Sequence, residues 1–425
     1  MFSRPSLLRC LALWLTGSTL VQSAPAPHTG GPALNGIGVP IHNPEAKNIV
    51  ANRYIVVYND DCSDEMVEEH QLHMSVALKK RNLNKRALDG RMMSTSIAPF
   101  AMQGWRGTCL DADDEMMLDI ASMKGVKYIE ADTVVKIDAL VSQPAAPDAL
   151  SRISHANPGG SGYVFDNSAG AGITVYVVDT GILTSHQEYA GRASWGANFV
   201  NDIDEDENGH GTHVAGSVGG ATFGVAKQAQ LVAVKTLDAE GAGTNSGVLA
   251  GLNFVETDVT ARGLGGKAIM NMSIGGSKSA ALNAAVEALT RAGVTVVVAA
   301  GNEGQDSANV SPASSPSAIT VGAIDETDTI AEFSNFGPYV DIFAPGVQVQ
   351  SAGIRGDSST QVLSGTSMAC PHIAGLAAYL MNLENLEAPE DVKARIKQLA
   401  ASTGAAVKGA NQETTTLIAY NGDGF

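Results

Sequence analysis

Apolar positions along the chain follow two regimes that meet near residue 140. In the first, residues 54–58 (YIVVY) read as a strand, and residues 64–80 carry apolar side chains at helical spacing. Residues 92–110 accommodate a second strand pair, 113–123 read as helix, and 126–129 as a closing strand. The order strand, helix, strand, strand, helix, strand predicts a small ferredoxin-like α+β domain over residues 53–140. An Ala- and Pro-rich stretch from 138 to 150 (DALVSQPAAPDAL) marks a boundary. Beyond it, over residues 141–425, short β-branched runs alternate with helical stretches. The runs at 173–178, 231–235, 268–273, 294–299 and 319–321 are continuous rather than alternating, as in a parallel sheet covered on both faces. An α/β fold with a doubly wound, mostly parallel sheet is expected, with function beyond the carboxyl ends of its strands.

The N-terminus changes the picture. Arg4 and Arg9 precede an apolar run at 10–15, and small residues follow at Ser18, Ser23 and Ala24. That is the order of a secretory signal, and it predicts a leader over 1–23, since Pro25 disfavours a cut after Ala24. The run is too short to span a bilayer. Residues 24–52, rich in Pro, Gly and Asn, read as a linker. From Val141 onward 13 Lys and Arg face 28 Asp and Glu, a net charge of −15, against −2 in the first 140 residues. So acidic a surface repels nucleic acid and anionic membrane and keeps an extracellular protein soluble. Neither is expected as a partner, and a secreted monomer is.

Cysteine usage is sparse. Of Cys10, Cys62, Cys109 and Cys370, only the last lies in the acidic region, which therefore has no internal disulfide. Cys62 and Cys109 are free to pair or not. Cys370 is expected to be a buried, inert thiol.

Three stretches carry candidate chemistry. Asp179-Thr180-Gly181 follows the strand ITVYVV and places a carboxylate at a strand's carboxyl end. His210 opens HGTHVAG, and Ser367 lies in GTSMACPH at the start of a long apolar helix, where free N–H groups favour an oxyanion. A serine hydroxyl needs a base within reach; a neutral histidine is one, and a buried carboxylate holds its tautomer. Asn302, in AAGN after the strand VTVVV, is the candidate second oxyanion donor beside the Ser367 N–H. Singly, each piece is ordinary: a turn Asp, an N-cap Ser, a packed His. A zinc reading of His210 and His213 lacks further ligands. The four in order, each at a strand end or helix start, point to nucleophilic catalysis.

With these motifs the chain resembles the subtilisin superfamily, and within it the proteinase K branch of secreted fungal enzymes. The resemblance covers about residues 141–425, with RIS at Arg152, FGVAK at Phe223, SPAS at Ser311 and LAAYLM at Leu376. The order Asp, His, Ser is that given for subtilisin in general. Residues 53–138 resemble the inhibitor-type propeptide of these enzymes, notably VKYIEAD at Val126. The resemblance implies a broad-specificity serine endopeptidase acting on proteins and peptides, with no cofactor for catalysis. It is implied to be made as a zymogen whose own propeptide inhibits it and is removed by self-cleavage at 139/140 or 140/141. Ser273, Ile274, Gly275 and Gly276 are implied to form one wall of the substrate site and Gly241, Ala242 and Gly243 the other, with Val310 near the pocket floor and apolar P1 residues preferred. A structural calcium ion is implied at Asp341 with the carbonyls of Pro316 and Ala318.

Two departures stand out: the catalytic region lacks the disulfides of those relatives, and an acidic run (DIDEDE, 202–207) precedes His210. The run reads either as a solvated loop or as a field that raises the His210 pKa. An esterase is disfavoured because Ser367 is not in a G-x-S-x-G elbow. A catalytically dead binding protein is disfavoured because all four catalytic positions are filled. A convertase for basic residues would want an acid in the Ser273 to Gly276 wall, and there is none.

Overall fold

In the computed structural model, which describes residues 41–44, 46, 49–134 and 140–423, the chain divides into two compact units between Val135 and Lys136. The expected leader and most of the expected linker lie outside the described residues.

The first unit runs β1 (Ile49–Tyr58), α1 (Asp64–Arg81), β2 (Ala98–Met102), β3 (Trp105–Asp111), α2 (Asp114–Ala121) and β4 (Val126–Thr133). Its antiparallel sheet has the order β2-β3-β1-β4, the ferredoxin-like arrangement. Tyr54, Val56 and Tyr58 alternate onto one face of β1 and pack against Val67, Met74 and Leu78 of α1 and Met116, Met117 and Ile120 of α2. Ser63 and Asp113 cap the helices by accepting the N–H groups of Met66 and Met116. The strand β1 begins earlier than its apolar run, because Asn52 (φ 57°) sits in a register shift against β4 that breaks the alternation. Cys62 and Cys109 are both free thiols, so they do not pair.

In the second unit β5 (Leu140–Gln143) and β6 (Tyr163–Asp166) form an antiparallel ribbon around α3 (Asp148–Ile153). Then follow β7 (Thr174–Asp179), β8 (Ala193–Asn198), α4 (His210–Gly219), β9 (Gln230–Lys235), α5 (Asn245–Arg262), β10 (Ala268–Met272), β11 (Gly276–Ser277), α6 (Ala280–Arg291) and β12 (Val294–Ala299). The chain closes with β13 (Val310–Ser311), β14 (Ile319–Ile324), β15 (Ile342–Pro345), β16 (Val349–Ala352), β17 (Thr360–Leu363), α7 (Thr366–Glu384) and α8 (Pro389–Ser402).

Seven of these strands make one sheet, β15-β14-β12-β10-β7-β9-β8, and every pairing in it is parallel. The continuous apolar runs serve two cores at once. Val175 and Val177 of β7 join α4 and α7 on one face, while Tyr176 and Val178 join α5 and α6 on the other. Two strands escaped the apolar pattern: β8 (ASWGAN) is a half-buried edge without β-branched residues, and β15 (IFAP) is only four residues long. All seven carboxyl ends share one edge, and the order reverses around β7: β9 and β8 lie to one side, β10 and later strands to the other. A crevice outside that switch point is where open parallel sheets place their ligands.

The RIS segment has a structural use. The Arg152 guanidinium forks onto Asp328, with Nε 2.7 Å and Nη2 3.1 Å from the two carboxylate oxygens, and both residues are buried. Removing one member of such a pair strands the other charge in a poor solvent. Arg152→Met should therefore cost about 3–5 kcal/mol of stability, read as a lower urea midpoint. Adding Asp328→Asn, which tolerates the left-handed backbone there (φ 63°), should recover part of that loss.

Candidate active site

Asp179 ends β7, an interior strand at the point where the strand order reverses, and its side chain is wholly buried. Its Oδ1 accepts from His210 Nδ1 at 2.8 Å and from the Thr180 N–H at 2.8 Å. His210 is the first residue of α4, and the next position must be glycine: a Cβ on Gly211 would lie 2.2 Å from the Gly181 carbonyl oxygen. That absence of side chain lets the helix start press against the strand end and brings imidazole to carboxylate.

The acidic run beside it is not uniform. Asp202, Asp204 and Glu205 are exposed, but Asp206 is buried and caps α4. Its carboxylate accepts from the N–H groups of Asn208, Gly209 and Thr212 and from the hydroxyls of Thr180 and Thr212, at 2.6–3.2 Å. Glu207 lies 3.4 Å from the ammonium of Lys235, itself fully buried and donating to the Thr180 carbonyl at 2.8 Å. Burial pulls the His210 pKa down, but the Asp179 charge, the Asp179 hydrogen bond and the Asp206 charge outweigh it, leaving the pKa above its ordinary value. His213 does pack inside, donating to or accepting nothing from the catalytic groups; its Nε2 faces the Val349 carbonyl at 3.0 Å, and burial lowers its pKa to about 4.

Ser367 is the second residue of α7, where its N–H has no partner within the helix. Its hydroxyl donates to the Ser273 carbonyl at 2.9 Å rather than to His210. A second tie runs the other way. Pro371 has no N–H to give the carbonyl four residues back, which is that of Ser367, and the Ser273 hydroxyl donates to it instead at 2.9 Å. Behind this pair, the Asn271 amide donates to Ser273 Oγ at 3.0 Å, and its Oδ1 faces the Cys370 thiol at 3.3 Å. Burial raises the Cys370 pKa, so the thiol stays protonated, as expected of an inert cysteine.

Asn302 follows β12 through Gly301, whose positive φ (105°) and contact with Asn335 exclude a side chain. Its Oδ1 is held by the Thr366 N–H at 2.8 Å and the Thr366 hydroxyl at 2.9 Å. The carbonyl end being so pinned, the Nδ2 donor stays at the helix start: a Cβ built on Gly365 would meet Asn302 Nδ2 at 3.5 Å and the Ser367 nitrogen at 3.6 Å. Buried Asn335 fastens the same loop from below, bonding Ala300, Glu303 and Gln305.

His210 and Ser367 line one cleft of about 540 Å³ together with Gly241, Ala242 and Gly243 on one side and Ser273, Ile274, Gly275 and Gly276 on the other. Val248, Leu282, Ser311 and Pro312 also line it. Val310 does not: it is buried behind Gly275, in the strand β13 that backs Ser277.

A family comparison places residues 170–417 in the Subtilase family. The chain belongs to the subtilase family. Subtilisin-like protease 2 of Pseudogymnoascus destructans is 47% identical over 388 residues, covering 90% of this chain and 92% of its own. Subtilisin-like protease 6 of Trichophyton verrucosum is 44% identical, covering 92% and 96%. Among solved structures, a cold-adapted subtilisin-like serine proteinase matches at 39% identity and a TM-score of 0.59, over 65% of this chain and 98% of that one.

The expected calcium site has another occupant in this subtilase. The oxygens of Asp341, Pro316 and Ala318 do converge, but on the ammonium of Lys393. With a cation of the chain already there, they do not fit as calcium ligands. Among the described residues no cluster of three or more His, Cys, Asp or Glu could hold a metal ion, and no helix is long and apolar enough to cross a membrane.

Motif reasoning missed the residues that act through others: Thr366, Asn335, Asp206 and Asn271. The sign of the His210 shift supplies a test. In the general-base role proposed below, His210 must be neutral, so a raised pKa moves the acid limb of kcat/KM upward. Asp206→Asn removes a raising charge and should move that limb to lower pH. Neutralising exposed Asp202, Asp204 and Glu205 together should leave it in place, since water and salt screen them.

Proposed function

We propose that the chain is a secreted serine endopeptidase that cleaves through an acyl-enzyme. The observation that carries this reading is the buried Asp179–His210 hydrogen bond opening into the cleft where Ser367 stands at a helix start. A peptide inserts as a strand between the Gly241 and Ser273 edges, its backbone satisfied by theirs. A substrate N–H that takes the Ser273 carbonyl frees the Ser367 hydroxyl to turn to His210 Nε2. Ser367 Oγ then attacks the scissile carbonyl while His210 takes its proton, and Asp179 stabilises the imidazolium through Nδ1–H. The oxyanion rests between Asn302 Nδ2 and the Ser367 N–H. His210 returns the proton to the leaving amine, and water reverses the sequence to release the acid. Val248 and Leu282 in the cleft favour an apolar P1 side chain.

A fluorophosphonate should label Ser367 alone, and the enzyme should cleave casein but no lipid ester; hydrolysis of the ester alone would point to an esterase. Asn302→Ala should lower kcat roughly 10²–10³-fold with little change in KM, the range reported for the corresponding subtilisin residue. A change confined to KM would remove Asn302 from the oxyanion site.

Residues 53–140 act, in this reading, as a cis-acting folding aid and inhibitor that the enzyme removes itself. An all-parallel sheet needs many long-range pairings, which makes folding slow and a helper domain useful. The unit boundary at Val135 and the start of β5 at Leu140 are compatible with cleavage at 139/140 or 140/141. Residues 135–139 of the cleavage run lie outside the described residues. Ser367→Ala should be exported as a precursor beginning near residue 24. Recovery of that variant from a protease-free host with its N-terminus near 140 would rule out self-processing.

A further inference from the structure

The cation locus at the far edge of the sheet is filled by the chain's own charge. Ala318 immediately precedes β14 and Asp341 immediately precedes β15, so the locus lies at the amino ends of two neighbouring parallel strands. Onto it α8 extends Lys393, whose Nζ stands 2.7 Å from Asp341 Oδ2, 2.7 Å from the Ala318 carbonyl and 3.4 Å from that of Pro316. One turn further along the helix, Lys397 pairs with the other carboxylate oxygen at 3.2 Å.

These contacts suit an ammonium and exclude a divalent ion beside it. Three acceptors match its three N–H donors, at hydrogen-bond distances with Pro316 the longest. Calcium needs six to eight oxygens at about 2.3–2.6 Å, closer than this geometry leaves room for while Lys393 stays. The charges agree. Two cations already face one carboxylate, so a metal would enter against net repulsion. Asp341 is mostly buried, and the Lys393 side chain is only 24% exposed, so screening is partial.

We propose that Lys393 is the resident cation of this locus, a tethered ammonium in place of a metal, which fastens α8 to the sheet whatever the calcium concentration. A dissolved ion stabilises by mass action and is lost on dilution. A tethered one is always at high effective concentration.

Calorimetry of the full chain carrying Ser367→Ala, which cannot digest itself on heating, tests this in chelator and in millimolar calcium. Asp341→Asn should lower Tm equally in both solutions, because what it loses is an ion pair. Lys393→Met should be destabilised in chelator and gain roughly 3–6 °C with calcium, a gain that Lys393→Met/Asp341→Asn lacks. Either of two results overturns the proposal: an Asp341→Asn loss seen only in calcium, or a Lys393→Met variant no more responsive to calcium than its parent. Should Lys393→Met fail to fold, the Asp341→Asn comparison decides alone.

Discussion

The site depends on holding one carboxylate inside the protein. Asp179 is at the end of a strand buried on both faces, where an unpaired charge is expensive. Two hydrogen bonds reach it directly, from His210 and from the Thr180 N–H. The Thr180 carbonyl, on the next peptide, takes the buried ammonium of Lys235 from the neighbouring strand. The Thr180 hydroxyl receives the Gly211 N–H and donates to Asp206. A single threonine thus couples the strand end, the helix start and two buried charges. Asp179 can afford to stay buried because those groups arrive on separate elements that the sheet has already aligned.

At the nucleophile the constraint is backbone geometry rather than charge. Proline inside a helix normally weakens it by leaving a carbonyl without a donor. Here the carbonyl left over is that of Ser367, and Ser273 claims it while its own carbonyl takes the Ser367 hydroxyl. Ser367 and Ser273 are therefore tied at two points, with Asn271 bracing the Ser273 hydroxyl. Thr366 does the same on the opposite side, accepting from the Gly301 N–H and donating to Asn302. In the proposed mechanism Thr366, next to the nucleophile, thus holds the Asn302 donor in place, so little reorganisation is left for the reaction itself.

How much of this was legible follows from which residues act by type and which by position. Asp179, His210, Ser367 and Asn302 each sit at a junction between a β-branched run and a glycine or helix start, and the sequence marks those junctions. The parallel sheet was legible for the same reason, through its continuous apolar strands. Asp206 was not, because within DIDEDE nothing distinguishes the acid that turns inward to cap α4 from its exposed neighbours. Its role depends on a loop path that only the fold supplies. Lys393 and Lys397 were hidden by their spacing: four apart on a polar helix, they read as a solvated face until α8 is laid against the sheet. Asn335 lies in a loop remote in sequence from the Asn302 segment it supports.

The two ends of the sheet show what that division means physically. At the carboxyl ends, Asp179 and Asp206 stand near the imidazole, and their charges outweigh burial and raise the His210 pKa. At the amino ends of β14 and β15 there is no reaction to serve, and the same ingredients, a carboxylate with two backbone carbonyls, are simply neutralised. A lysine suffices there because the requirement is only a positive charge with three donors at the right place. It would not suffice at the carboxyl edge, where in the proposed mechanism the group paired with Asp179 must gain and lose a proton near neutral pH, as an imidazole does and an ordinary ammonium does not. The chemistry proposed for each edge thus selects the partner of its carboxylate, a titratable histidine at one and a lysine at the other, on a single scaffold of parallel strands.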